Sequence, residues 1–145
     1  MPYVIGVVLA LAAALFAKWV GLDRDRAFYP TVMIVIALLY VLFAAMGGSG
    51  HAVLLESIPM AGFVTAAVVG YRRSAWIVVA ALAGHGVFDA VHGHLIDNPG
   101  VPAWWPEFCA TYDLVAAACL GWIVARRPDT ATRWTGAPGI TGKEA

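Results

Sequence analysis

The run AWIVVAALAGHGVFDAVHGH, from Ala75 to His94, decides the fold. It contains no Lys or Arg, and its first ten residues are wholly apolar. A helix crossing a bilayer needs about 20 consecutive, mostly apolar residues, so the run is long enough to span. Its second half nevertheless carries His85, Asp89, His92 and His94. Side chains of this kind inside a span are rare, face the interior of a bundle or a wet cavity, and mark functional sites.

Four further apolar runs flank it: about 2–20, 29–46, 51–70 and 108–125. Turn signals separate them: Gly21 to Arg26, Gly47-Gly48-Ser49-Gly50, Tyr71-Arg72-Arg73-Ser74 and Asp97-Asn98-Pro99-Gly100-Val101-Pro102. The chain has 145 residues, 61% hydrophobic and 12% charged, whereas soluble domains are roughly a quarter charged. The expectation is an all-α integral membrane bundle of five transmembrane helices, one domain over residues 1–127. A polar tail over 128–145, rich in Gly, Thr and Pro, reads as disordered and cytoplasmic. The N-terminus lacks a basic n-region and a small-residue cleavage site, so the first run reads as a retained span.

Every Lys and Arg falls in three places: Lys18, Arg24 and Arg26; Arg72 and Arg73; and Arg126, Arg127, Arg133 and Lys143. Five crossings put all three on one side, which the positive-inside rule assigns to the cytoplasm. The N-terminus is then outside, the C-terminus inside, and the protein a multi-pass component of a bacterial-type inner membrane. Trp104 and Trp105 fall at the outer interface, where indole rings partition. The net charge is zero and no basic stretch is long enough to follow a nucleic-acid backbone, which excludes that class of partner. The expected surroundings are the lipid bilayer and a lipid-like or apolar small molecule, with oligomerisation left open. Cys109 and Cys119 lie ten residues apart on one helix, roughly 15 Å, too far for a mutual disulfide.

His85, Asp89 and His92 are spaced i, i+4, i+7 and share one helical face. Glu56 lies about one and a half turns into the third span, and Asp113 about as deep into the fifth. A His-carboxylate-His stripe with carboxylates from other helices is how metal sites are built in bundle cores. Imidazole and carboxylate donors suit Zn²⁺ or non-haem iron, with zinc preferred. The expected metal ligands are therefore His85, Asp89, His92 and Glu56. Glu56 or Asp113 would act as general base, and Tyr112 would donate to a developing oxyanion. His51 and His94 read as interfacial, Asp97 and Asn98 as turn residues, Glu107 as a first-turn carboxylate and Cys109 as a small buried hydrophobe. Pro59, one turn after Glu56, is expected to loosen the third helix.

The stretches Asp25-Arg26-Ala27-Phe28-Tyr29-Pro30, His85-Gly86-x-x-Asp89-x-x-His92 and Asn98-Pro99-Gly100-Val101-Pro102-x-Trp104-Trp105-Pro106-x-Phe108-Cys109 resemble motifs of an uncharacterised family of small bacterial multi-spanning membrane proteins. That likeness covers most of the chain and implies no particular activity. A looser resemblance, carried by His85-x-x-x-Asp89, is to membrane zinc hydrolases acting on lipid amides and on receptors; it implies a metal. Those proteins have more spans and a His-x-x-x-His pair in the last, where this chain has Tyr112 and Asp113. Three function classes follow: a metal-dependent membrane enzyme, hydrolytic, acting on a lipid-like substrate; a small transporter or proton- or cation-binding protein; and a structural or accessory subunit. The second needs a polar path through the inner halves of the spans, where Thr65 and Ser74 are the conspicuous polar groups.

Overall fold

A computed structural model describes residues 1–22 and 26–126. Asp23, Arg24, Asp25, the basic residues after Arg126 and the expected tail at 128–145 lie outside the described residues. The chain forms α1 (Pro2–Val20), α2 (Phe28–Met46), α3 (Gly50–Arg73), α4 (Ala75–Leu95) and α5 (Trp105–Arg126). All five are long and apolar enough to cross a membrane. Helices are the form such segments must take in lipid, because each satisfies its own backbone N–H and C=O groups.

The connections set the order of packing. Gly21 leaves α1 in the left-handed conformation, with its N–H on the Ala17 carbonyl. Gly48, also at positive φ, turns the chain between α2 and α3. Ser49 caps α3 by accepting from the Ala52 N–H. Tyr71, Arg72 and Arg73, read from the sequence as loop, continue α3 instead, and the whole reversal into α4 is made by Ser74 in extended backbone. Its hydroxyl oxygen accepts from the Trp76 N–H, so one residue both ends a helix and starts the next. The arginines stay helical because their long stems let the charged heads leave the apolar region.

α4 packs between α3 and α5, α2 lies against α3 and touches α4, and α1 packs on the outer face of α5. The α1–α5 contact rests on small residues: Gly6, Ala10 and Ala17 are the buried positions of α1. A Cβ at Gly6 would collide with Thr111 and the Phe108 carbonyl. Two ends of the bundle can be distinguished. Among the described residues every Lys and Arg lies at the end marked by Ser74. The loop 96–104 closes the opposite end, where Gly100 sits so close to the Phe43 carbonyl that no Cβ fits. α3 runs without a break through Pro59, which removes the helical donor to the Leu55 carbonyl.

Candidate metal centre

Each helix contributes an inward stripe, and four of the stripes carry polar groups in the half of the bundle away from Ser74. On α4 the buried positions are Val78, Ala81, Leu82, His85, Gly86, Asp89 and His92, the i, i+3, i+4, i+7 repeat of one face. α5 buries Cys109, Ala110, Asp113, Ala116 and Ala117. α3 turns Glu56 inward, and α2 turns Tyr40 inward from a stripe that includes Met33, Ile36 and Ala37. Glu56, His85, Asp89, His92 and Asp113 are at most 2% exposed. Bulk water does not reach these groups, so whatever balances them must be other side chains, an internal water or a ligand.

The polar groups form two adjacent sets. In the first, His85 Nδ1 lies 2.7 Å from Asp113 Oδ2 and 3.2 Å from Asp89 Oδ2. These three residues each offer a ligand atom within 4.8 Å of the others. In the second, His92 Nε2 lies 2.7 Å from Glu56 Oε1, which also accepts from Asn98 Nδ2 at 2.8 Å. The same Asn98 amide donates to the Tyr40 carbonyl at 3.0 Å, and its Oδ1 accepts from the Gly100 N–H. Tyr40 joins the sets: its ring stacks on His92 with centroids 4.0 Å apart and comes within 6.1 Å of the His85 ring. Phe63 closes on His85 edge-on at 4.7 Å.

Of the expected ligands, His85 and Asp89 therefore group with Asp113, while His92 and Glu56 pair with each other. Tyr112 is half-buried and lines an apolar cavity of about 500 Å³ between α2 and α5. Val35, Leu39, Phe108 and Cys109 line the same cavity, whose volume falls within the 300–1,000 Å³ range of small-molecule pockets. His51, His94, Asp97 and Glu107 are exposed, and Cys109 is buried. Two contributors are missing from the sequence reading. Sequence assigns Asn98 to its turn, and it makes that turn while also reaching Glu56. Tyr40 sits on the inward face of α2 with Tyr29 and Met33, and this periodicity is the signal that would have found it.

The balance of donors and acceptors bears on what the first set can hold. His85 Nδ1 carries at most one hydrogen; the 2.7 Å contact with Asp113 uses it, and it would have to leave before that nitrogen could bind a metal. Both oxygens of Asp89, Oδ1 of Asp113 and Oε2 of Glu56 are buried and receive no hydrogen bond of standard geometry, and the Tyr40 hydroxyl, a donor buried without such a bond of its own, lies beside Asp89. Buried polar atoms are satisfied in the great majority of cases, and each exception needs an explanation. Unpaired carboxylate oxygens converging beside an imidazole nitrogen have the donor chemistry of a divalent-cation site. Towards the Ser74 end the interior is mostly apolar, through Met33, Val78, Leu82, Leu120 and Val124, with Tyr29 among them. Thr65 bonds its own helix at the Ala61 carbonyl and Ser74 is taken by its cap, so neither extends the cluster.

The chain finds no match among protein-family models, curated proteins or solved structures. Its function must therefore be read from the site.

Proposed function

We propose that the protein is a membrane-embedded, metal-dependent enzyme that hydrolyses a lipid-like substrate, with His85, Asp89 and Asp113 holding one divalent cation. The observation that carries this reading is the set of unpartnered carboxylate oxygens of Asp89 and Asp113, fully buried around His85 Nδ1. Three protein ligands with a position left open is the usual composition of a catalytic zinc site. One imidazole and two carboxylates lack the second histidine of the non-haem iron triad and are compatible with zinc or with a harder divalent ion such as Mn²⁺.

A bound divalent cation supplies Lewis acidity and lowers the pKa of coordinated water. The remaining work falls to side chains. Glu56 is held by His92 and Asn98 through Oε1, leaving Oε2 to take a proton from the attacking water. Tyr112, in the α2–α5 cavity, presents a hydroxyl that can donate to the developing oxyanion. The almost wholly apolar lining of that cavity suits the hydrocarbon part of a lipid. The apolar core towards the Ser74 end supports an enzyme over a carrier, which needs a polar path across. By the positive-inside rule the Ser74 end is cytoplasmic, in a bacterial-type inner membrane, so the site would lie in the outer half.

Elemental analysis of protein purified without chelators tests the reading, together with hydrolysis of fluorogenic lipid esters and amides. About one divalent ion per chain is expected in the wild type, lost in His85→Ala along with any hydrolysis. A metal-free wild type would end the proposal.

A further inference from the structure

A second groove, independent of the metal centre, lies between α1 and α5 at the Ser74 end and encloses about 720 Å³. Its walls are largely hydrocarbon, including Leu11 and Leu15 of α1 and Leu114 and Ala118 of α5, with Tyr29 of α2 beside them, and Lys18 and Arg126 line it at the Ser74 end. Arg126 is held in place over the Trp122 ring, its guanidinium carbon 3.8 Å from the centroid. Lys18 is exposed and makes no ion pair among the described residues. The described carboxylates are Glu56, Asp89, Asp97, Glu107 and Asp113, all at the cluster level or the opposite end, so none of them offsets this pair of cations. From Arg126 down to Leu114 is twelve residues of helix, roughly 18 Å at 1.5 Å per residue. That is a hydrocarbon trench of acyl-chain depth with two positive charges at headgroup height.

We infer that this groove binds an anionic phospholipid of the adjoining leaflet, its phosphate between Lys18 and Arg126 and one acyl chain along Leu11, Leu15, Leu114 and Ala118. Basic pockets between spans select anionic headgroups.

The experiment measures thermal stabilisation and native mass spectrometry of the purified full chain titrated with phosphatidylglycerol or phosphatidylcholine of the same acyl composition. Two cationic contacts should favour the anionic lipid by roughly 25-fold in apparent affinity. The double variant Lys18→Gln, Arg126→Gln should bring the two lipids level. Arg72→Gln, Arg73→Gln, which removes two exposed charges at the same end but off the groove, should keep the wild-type preference. Equal binding of the two lipids by the wild type would overturn the proposal, as would an equal loss of preference in the Arg72/Arg73 variant. So would full competition by glycerol phosphate, which would make this a site for the phosphate alone.

Discussion

His85 and Asp113 meet across the α4–α5 interface at 2.7 Å, about two turns of α4 below the point where His92 meets Glu56 of α3 at the same distance. Two histidines of one helical face thus answer to carboxylates of two different helices. The contacts are separate in space, since His85 and His92 are seven residues or roughly 10 Å apart along α4.

This separation predicts the pattern of energetic coupling. Double-mutant cycles on unfolding free energy should give about 1 kcal/mol of coupling for His85 with Asp113, and the same for His92 with Glu56. The cross pair His85 with His92 should couple less, by about 0.5 kcal/mol at most, because the two meet only through shared rings such as Tyr40. Equal coupling in all three cycles would mean one undivided network.

Gly86 governs how closely α4 and α5 approach. A Cβ there would sit 2.9 Å from the Ala110 carbonyl oxygen, 3.1 Å from Leu114 Cγ and 3.3 Å from Asp113 Cβ, all of them on α5. Gly86→Ala should therefore cost about 1–3 kcal/mol of stability and reduce bound metal, because it drives Asp113 away from His85. Gly93→Ala meets open space and should be neutral or stabilising by up to about 1 kcal/mol. Thermal unfolding and metal content of the two variants, measured side by side, check this.

Asn98 offers a test of the second set. Asn98→Ala removes a donor from Glu56 and from the Tyr40 carbonyl, both buried, and should cost about 1–3 kcal/mol. Asn98→Asp should cost more, because it puts a carboxylate where Glu56 Oε1 now receives an N–H. Neither change touches His85, Asp89 or Asp113, so metal content should hold in both. Chemical or thermal denaturation ranks the variants, and greater stability of Asn98→Asp than of Asn98→Ala would contradict the assignment.

Much of the architecture is legible because lipid imposes it. Apolar run length gives α1, α2 and α4 to within a residue, and the discrepancies have local causes. α3 runs on through Arg72 and Arg73 because charged heads reach the interface without breaking a helix, and α5 begins early at Trp105 because Pro106 suits a first turn. The i, i+4, i+7 stripe of α4 is equally readable, being a property of one helix. Which carboxylate meets which histidine is not, since it depends on the rotation of α3 and α5 about their axes, and that is fixed by close contacts such as Gly86 on Ala110. Asn98 is obscured because a residue in an Asn-Pro-Gly turn already has a local role, and its second role exists only once the loop folds back over α3.

Side-specific labelling tests the orientation. On a background lacking Cys109 and Cys119, single cysteines at Gly48 and Pro102 should react with impermeant reagent added outside intact cells, while those at Arg72 and Lys143 should be protected until lysis. Gly48 and Pro102 lie at one end of the bundle and Arg72 at the other, so the two classes must behave oppositely. Outside labelling at position 72 would reverse the orientation.

The most discriminating prediction separates His92 from His85. From sequence spacing alone the two belong to one ligand set and should fall together when metal content is measured. In the folded chain His92 Nε2 is engaged by Glu56, whereas the ligand atoms within 4.8 Å of one another come from His85, Asp89 and Asp113. His85→Ala, Asp89→Asn and Asp113→Asn should each remove most of the bound metal. His92→Ala should retain it, yet lose hydrolysis on the order of 10²–10⁴-fold, because Glu56 then loses the imidazole that holds it as general base. His94→Ala, exposed at the end of α4, should change neither. Metal analysis and turnover on these five variants decide the matter. Loss of metal in His92→Ala would return His92 and Glu56 to the ligand set, and retention of metal in Asp113→Asn would remove Asp113 from it.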